Sequence, residues 1–399
     1  MSSLNPTLDA GTPSAASGTA SIAILAVAAF LIVTTEYLIV GLLPALARDL
    51  EITLAAAGQL VTLFAFTVML FGPALTVLVA HFERKRLFVF ILLVFAASNA
   101  LAAVAPNIWV LALARFIPAL ALPVFWGTAS DTASQLVGPA RAGKAVSQVY
   151  LGISAALLFG IPLGTLASDA FGWRETFWGL AALSLLMAIL MAAFMPAVAR
   201  QPRLRVAEQM RILKDPRFVA NVALSVVVFT AMFTAYTYLA ATLERIAGVP
   251  SAQVGWWLMG FGAVGLIGNW LGGRYVGRHP LAATVVFVVV MGVGMAAAVP
   301  LAGSRGWLIV ALAIWALAYT GLFPICQVRV MQAASTAKAF AGTLNVSAAN
   351  AGIGVGAILG GLVIQRGGLD QLGYVAAGVA ALAVLMVPLV ARLKASAPR

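Results

Sequence analysis

The chain has 399 residues, of which 63% are hydrophobic and only 9% are charged, and its mean hydropathy is +1.04. About a quarter of the residues of a soluble domain are charged, so this composition excludes a water-soluble globule. It predicts a polytopic membrane protein whose apolar runs are helices. The formal net charge of +12 does not indicate a nucleic-acid partner, because the basic residues lie in loops. The single cysteine, Cys326, excludes an internal disulfide.

Apolar runs divide the chain into two halves. About 20 residues cross ~30 Å of hydrocarbon as a helix, and six such runs lie on each side of the polar segment 199–217. The predicted spans are 21–46, 56–80, 87–105, 108–136, 144–167, 174–196, 217–242, 251–273, 281–302, 307–328, 339–364 and 371–392. We therefore expect an all-α membrane protein with twelve transmembrane helices in two pseudo-symmetric six-helix bundles.

The predicted domain organisation follows these runs. It comprises a disordered cytoplasmic tail (1–20), an N-terminal bundle (21–196), a basic cytoplasmic interdomain loop (197–216), a C-terminal bundle (217–393) and a cytoplasmic tail (394–399). The first 20 residues contain no Lys or Arg and so lack the charged region of a cleaved signal peptide. With both termini in the cytoplasm, 18 of the 24 Lys and Arg residues lie on the cytoplasmic side. The positive-inside rule favours this orientation.

Three ionisable residues inside the predicted spans are candidates for proton coupling. Glu36 lies ~15 Å from the outer end of the first span, a depth at which a carboxylate is costly and indicates function. Arg115, in the fourth span, lies at a comparable depth, so a direct pair or a shared water with Glu36 is possible. Asp131 is on the same helix as Arg115 but too far along it to pair with Arg115. The alternatives are that Glu36 only holds helices together and that Asp131 reaches the membrane interface.

The fifth span combines glycines with a proline. Gly160 and Gly164 form a small-xxx-small contact that lets helices approach closely, and Gly152 lies two steps of four residues before Gly160. Pro162 is predicted to kink the helix. Packing alone explains this pattern, but a bend at a close approach also suits two bundles that move against each other.

Two further sets of residues complete the candidate site. The loop after the second span is a candidate cytoplasmic gate, although a plain orienting loop also explains its charge; its members are His81, Glu83, Arg84, Lys85 and Arg86. Polar and aromatic side chains predicted to line a cavity between the bundles are Phe125, Trp126, Tyr236, Tyr238, Asn269, Asn345 and Asn350. Tyr236 and Tyr238 are two residues apart, so both cannot face one cavity squarely.

The sequence lacks the motifs of an enzyme. It contains no nucleophile–base pair, no metal-ligand cluster and no phosphate-binding loop, and its only histidines are His81 and His279. We therefore expect no enzymatic activity, no metal, no cofactor and no use of ATP. The glycines of the eleventh span repeat the pattern of the fifth, as expected of a carrier built from repeated bundles with a site near the midplane.

Several segments resemble the major facilitator superfamily and, within it, the twelve-span drug:proton antiporter family on its bacterial sugar or arabinose efflux branch. They are TTEYLIVGLLPALARDL around Glu36, LARFIPALALPVFWGTAS around Arg115, GIPLGT with FGWRETF (160–165 and 171–177), FTAYTYL (233–239), and the ladder Asn345, Asn350, Gly352, Gly356 and Gly360. The resemblance covers about residues 21–393. Two positions depart from it, since His81 stands near the usual Asp of the loop motif and Pro118 replaces a common Gly.

The resemblance implies a monomeric secondary transporter in the inner membrane of a bacterium, which exports a small sugar-like or drug-like solute by alternating access. The proton gradient would supply the energy. Glu36 would bind and release the proton, Arg115 would respond to its charge, and Asp131 would be a secondary polar element. A proton-independent facilitator or importer, with Glu36 as a substrate ligand, remains open, as does a non-transporting membrane scaffold or sensor.

Overall fold

The computed structural model describes residues 15–79, 81–137, 141–196, 198, 210–277, 279–334 and 338–393. In chain order its α-helices are α1 (Ala15–Asp49), α2 (Leu54–Leu78), α3 (Arg84–Ala103), α4 (Ile108–Val137), α5 (Ala142–Ala155), α6 (Ile161–Phe171), α7 (Trp173–Phe194), α8 (Pro216–Tyr236), α9 (Leu239–Arg245), α10 (Ser251–Tyr275), α11 (Pro280–Ala298), α12 (Arg305–Ala333), α13 (Lys338–Gly367) and α14 (Leu372–Arg392). A π-helical turn, Ala156–Gly160, joins α5 to α6. Short 3-10 turns occupy Met210–Lys214 and Leu369–Gln371.

Twelve stretches of the described chain are long and apolar enough to cross a membrane. The pair α5–α6 forms one of them and the pair α8–α9 another, so the predicted all-α class with twelve spans is confirmed. The first candidate span, Ala20–Asp49, begins one residue before the predicted start at 21. Helix α1 itself extends back to Ala15, so residues 15–20 are helical where a disordered tail was predicted. Three of these residues are alanines, which favour helix. The segments 1–14 and 394–399, and most of the predicted interdomain loop, lie outside the described residues.

An even number of antiparallel spans places both ends of the described chain on one side of the bundle. We call this side, which holds Ala15 and Leu393, the termini face. The opposite side, where α1 ends at Asp49 and α10 begins at Ser251, is the far face.

The fifth span is irregular next to its proline. Pro162 has no amide hydrogen, so it cannot donate to the carbonyl of Leu158 as an α-helical residue would. The π turn Ala156–Gly160 comes immediately before it. The irregularity predicted at Pro162 therefore takes the form of a π turn, a feature that is frequent at functional sites.

The seventh span, predicted to be one helix over 217–242, is broken between Tyr236 and Leu239. The Thr237 hydroxyl donates to the Phe233 carbonyl at 2.6 Å, and Thr234 bonds the carbonyl four residues before it in the same way. Such side-chain bonds to the preceding turn bend helices. Because of this break, the side chains before it and those after it point in different directions.

Each half packs its fifth span against its first span through glycines. In the first half, a Cβ atom would collide with α1 at Gly152, Gly160 and Gly164. In the second half, a Cβ atom would collide with α8 at Gly352, Gly356 and Gly360. These glycines therefore set the close approach between each fifth span and the helix that carries the buried polar or aromatic residues of its half.

The two halves meet crosswise, with α2 of the first half on α13 of the second and α10 of the second on α6 of the first. The Thr62 hydroxyl donates to the Gly354 carbonyl at 3.4 Å, and Gly255 packs against the Pro162 carbonyl. Both contacts lie in the parts of these helices that are nearer to the far face.

An ion pair joins the halves at the far face itself. Arg48, at the end of α1, lies 2.8 Å from Glu244 in α9. Together with the crosswise helix contacts, this pair closes the far face in the present conformation.

Candidate functional site

The arginine of α4 lies against the middle of α1. The Arg115 guanidinium donates from Nη1 to the Thr35 carbonyl at 2.5 Å and from Nη2 to the Glu36 carbonyl at 2.6 Å. Its Cζ atom also lies 4.4 Å from the centre of the Phe64 ring in α2, a cation–π contact. Only 2% of Arg115 is exposed. The arginine therefore connects three helices of the first half through backbone carbonyls and a ring.

The Glu36 carboxylate does not form a direct ion pair with Arg115 among the described residues. Glu36 is half-buried. Its carboxylate interacts electrostatically with Arg115 and with the neighbouring Tyr37 hydroxyl. It also interacts electrostatically with Tyr319 of the second half. Glu36 is thus a half-buried acid at the junction of the halves, between an arginine and tyrosines.

The second half contributes a connected group of rings, which we call the aromatic cluster. Its members are Tyr37, Phe229, Phe233, Tyr236, Phe261, Trp315, Tyr319 and Phe323. Tyr236 and Tyr319 stack with their ring centres 4.5 Å apart, and Phe261 lies within 6 Å of both. Tyr37 of α1 joins the cluster through Phe233 at 6.0 Å. The cluster therefore reaches from the second half to the residue next to Glu36.

The break in the seventh span gives its two tyrosines different roles. Tyr236, before the break, belongs to the aromatic cluster. Tyr238, within it, is fully buried and donates to the Ala357 carbonyl at 2.9 Å. It packs against Gly58 of the first half and Gly361 of α13. Tyr238 is therefore part of the contact between the halves rather than of the cavity wall.

The remaining cavity candidates lie apart from the aromatic cluster. Phe125 and Trp126 form a separate ring group near the termini face with Phe88 and Tyr150. Asn269 is half-buried in α10.

Two asparagines of α13 are buried. Asn345 donates to the Gln327 side chain of α12 at 2.7 Å, and Asn350 donates to the Val346 carbonyl of its own helix. The Oδ1 atoms of both asparagines are buried without a hydrogen-bond partner among the described residues. Asn345 and Gln327 together form a polar pair between α12 and α13.

Asp131 belongs to the loop region and not to the Glu36 region. It accepts a hydrogen bond from Gln135 at 2.8 Å, and its charge interacts with that of Arg84. Arg84 is buried at the start of α3, where Glu83 caps the helix by accepting from two backbone amides. Asp131 thus supplies an acidic neighbour to a loop in which His81 stands near the usual aspartate.

The rest of the candidate gate is on the surface. The His81 ring lies 4.4 Å from that of Phe82, and Arg86 lies 3.8 Å from Glu83 with most of its side chain exposed. Lys85 contributes its backbone amide to the Glu83 cap.

Two membrane-crossing halves, joined around a half-buried acid, a buried arginine and a cluster of rings, define the architecture of a secondary membrane transporter. Residues 25–347 match the family model described as Major Facilitator Superfamily. The chain belongs to this superfamily, as its sequence motifs predicted, and it is a multi-pass membrane transporter rather than an enzyme.

Relatives of similar length carry transport names. The chain is 32% identical over 369 residues to "Inner membrane transport protein YdhP" of Escherichia coli (strain K12), which covers 92% of this chain and 95% of that protein. It is 30% identical over 365 residues to "Probable sugar efflux transporter" of Helicobacter acinonychis (strain Sheeba), covering 90% and 92%. The fold is shared with a bacterial homolog to the human lysosomal transporter Spinster in an inward-facing and unoccupied conformation. That match has a TM-score of 0.80 at 16% identity and covers 97% of this chain and 100% of that chain.

Several residues of the site were missed from the sequence. Tyr37, Phe261, Trp315 and Tyr319 were not among the cavity candidates, although Tyr37 follows Glu36 directly. For the missed tyrosines, the available sequence signal was a hydroxyl group in the middle of a span. This signal applied to Tyr319 as much as to Tyr236, which was a candidate.

Proposed function

We propose that this transporter exports a small, neutral, ring-bearing solute in exchange for protons, in the inner membrane of a bacterium and with both termini in the cytoplasm. The observation that supports this proposal best is the position of Glu36. The carboxyl group lies at the junction of the halves, next to the charge of Arg115 and to Tyr319 of the aromatic cluster. A change in the charge of Glu36 therefore alters electrostatic interactions in both halves.

The proton step follows from the cost of a charge at this depth. An ionised carboxylate inside a span is unfavourable, and the positive charge of Arg115 offsets part of that cost. Protonation removes the negative charge and with it the attraction to Arg115. The relative free energies of the two conformations then change, because Glu36 has different surroundings in each. Binding and release of the proton at Glu36 are therefore coupled to the change between the conformation that is open at one face and the conformation that is open at the other.

The aromatic cluster favours a neutral solute with a flat or ring-shaped apolar face. Ligand sites are mostly apolar and aromatic, with a few polar groups that fix orientation. Here the rings offer stacking surfaces, while Tyr37, Tyr236 and Tyr319 carry hydroxyl groups. Sugars combine an apolar ring face with hydroxyl groups, and the name of the Helicobacter acinonychis relative supports this class.

The proposed orientation in the membrane rests on the distribution of basic residues. The positive-inside rule puts the termini face in the cytoplasm. The closed far face is then periplasmic, and the present conformation is inward-facing. A solute would bind from the cytoplasm while Glu36 releases its proton there.

The test uses purified protein in liposomes that contain a pH-sensitive dye. After a pH gradient is imposed, sugars, nucleosides and antibiotics are added one at a time, and both lumenal pH and tracer flux are recorded. A coupled exporter shows a proton flux that starts with the solute. Glu36→Gln abolishes this proton flux, whereas Glu175→Gln, the same change at an exposed glutamate of α7, leaves it intact.

Tracer flux of a solute without proton movement in the parent protein would sink the proton-coupled proposal. It would identify a facilitator in which Glu36 binds the solute. Equal coupled transport by Glu36→Gln and the parent protein would place the proton site elsewhere.

A further inference from the structure

A second polar site lies at the termini face of the second half, away from Glu36. A cavity of about 320 Å³ opens there between α8, α11, α12 and α14. Its polar lining consists of Arg217, Asn221, Arg329 and Gln332, and Pro280 and Leu281 at the start of α11 form another wall. Nothing in the transport cycle proposed above uses this cavity.

Arg329 is the central residue of this site. It is only 2% exposed, and it lies four residues before Ala333, the end of α12, which is ~6 Å of helical rise. Its Nη2 atom donates to the Ser225 hydroxyl at 2.7 Å and to the Asn221 carbonyl at 3.2 Å. Among the described residues, its Nε and Nη1 atoms have no hydrogen-bond partner.

The charge of Arg329 has no carboxylate partner among the described residues. The group there that interacts electrostatically with it is the Cys326 thiol. A buried cation with free donors is costly unless a negative group meets it. Arg329 lies just beyond 328, the predicted end of the tenth span, where lipid headgroups rather than acyl chains are expected.

The helix ends around the cavity add to the positive potential. α8 begins at Pro216 and α11 at Pro280, so two helix N-termini, with their unpaired amides and positive dipole ends, lie at the same cavity. Asp215 already accepts from the Arg217 amide at the start of α8. His279 makes no side-chain capping bond at the start of α11. The α11 amides therefore remain available to an anion.

We propose that this cavity binds a phosphate-bearing anion, with Arg329 and Arg217 as its charged ligands and the N-terminus of α11 as its backbone donor. The headgroup of an anionic phospholipid and free phosphate share this chemistry. An arginine guanidinium fits phosphate through two parallel hydrogen bonds, which matches the two free donors of Arg329. The bound anion stabilises the folded second half.

The test measures thermal unfolding of the purified protein in detergent, with added phosphatidylglycerol, phosphatidylcholine or inorganic phosphate. Variants Arg329→Gln and Arg217→Gln are compared with Arg274→Gln. The control arginine lies at the same face in α10 but is exposed and packs on Trp270 with 5.5 Å between Cζ and the ring centre. Each variant removes one positive charge, so only the site differs.

We expect phosphatidylglycerol to raise the melting temperature of the parent protein and of Arg274→Gln by about 2–4 °C, a shift typical of ligand stabilisation of about 1 kcal/mol. At least half of this shift is lost in Arg217→Gln and all of it in Arg329→Gln. If Arg329→Gln does not fold, Arg217→Gln and the retention of phosphatidylglycerol in native mass spectra carry the comparison. A shift with inorganic phosphate alone would identify a soluble anion as the occupant and support the same site. Equal shifts with phosphatidylcholine, or equal shifts in all three variants, would overturn the proposal.

Discussion

The two halves of the molecule share one packing scheme but differ in the chemistry at its centre. Gly152 lies against the Ala26 carbonyl of α1, and Gly352 lies against the Val226 carbonyl of α8. Gly352 follows Gly152 by the same number of residues as Val226 follows Ala26. The first and fifth spans of each half are therefore packed in the same register.

On this register Tyr236 takes the place of Glu36. The fourth span of the first half carries Arg115 and the fourth span of the second half carries Trp315. Arg115 packs on Phe64 in the second span of its half, and Trp315 packs on Phe261 in the second span of the other half. The first half thus has charges where the second half has rings. Under the proposed function, one scaffold would serve two tasks, ion handling in the first half and recognition of an uncharged solute in the second.

The largest expected effect comes from removing the arginine of the first half. Arg115→Gln should lower coupled transport by about 100-fold or more, since leaving a buried charge uncompensated costs about 3–5 kcal/mol. Trp315→Leu, in the fourth span of the second half, should change solute affinity and leave the ratio of protons to solute unchanged. Both are measured as proton and tracer flux in liposomes. The division of tasks fails if Trp315→Leu uncouples the two fluxes or if Arg115→Gln does not.

The next effect concerns the glycine contacts. Gly356→Ala should destabilise the protein by about 1–3 kcal/mol, a typical cost of overpacking, because the new Cβ meets the backbone of α8 at Thr230 and Thr234. Gly160→Ala should cost less, since the Cβ there meets the Thr34 side chain, which can rotate. Thermal unfolding measures the difference.

The matched control for these glycine variants is Gly179→Ala in α7. No atom lies within 4 Å of the Cβ position there, and alanine is the better helix former by about 1 kcal/mol. The variant should be neutral or stabilising. A melting temperature of Gly356→Ala equal to that of Gly179→Ala would contradict the close packing of α13 on α8.

A smaller effect is expected from the tyrosine hydroxyls of the second half. Tyr236→Phe and Tyr319→Phe keep the stacked rings and remove one hydrogen-bonding group each. Their solute KM should rise about 2–10-fold, as expected for a net hydrogen bond of about 0.5–1.5 kcal/mol, at an unchanged proton stoichiometry. An altered stoichiometry in Tyr236→Phe would mean that the second half also takes part in the proton step.

The smallest effect is expected at the contact that both halves share. Arg48 is 56% exposed, and a pair of this kind contributes about 0–1 kcal/mol. Arg48→Ala should therefore open the far face by no more than a few-fold. The measurement is the reactivity of a cysteine introduced at the buried position of Thr62. The native Cys326 does not interfere with it, because this cysteine is buried. The exchanged pair Arg48→Glu with Glu244→Arg should restore the parental reactivity, and its failure to do so would show that the pair does not hold the face closed.

The sequence was sufficient for what depends on counting along a helix. The twelve spans and the depths of Glu36 and Arg115 follow from run length and helical rise. The partners of these residues did not follow, because a hydrogen bond depends on the rotation of a helix and on its neighbours. Arg115 was therefore considered as a partner of the Glu36 side chain, whereas it donates to backbone carbonyls.

Two other features were hidden for physical reasons. The break after Tyr236 contains no proline or glycine, and at the break Thr234 and Thr237 bond the carbonyls four residues before them. Threonines of unbroken helices, such as Thr128 and Thr132 in α4, form the same local bond, so the sequence does not reveal where the helix breaks. Asp131 and Arg84 are far apart in sequence and meet only when α3 packs on α4.

The crosswise packing has a mechanical consequence. α6 has Gly164 against Leu38 of α1 on one edge, and its Pro162 carbonyl against Gly255 of α10 on the other. At Gly255 the Pro162 carbonyl and the Leu166 side chain of α6 both meet the glycine, which leaves α6 little room to slide against α10. We therefore expect a sideways step of the helix that carries Glu36 to move α6 and, through this contact, the second half. The tightness of coupling would then depend on the packing at this glycine and not only on the strength of any charge.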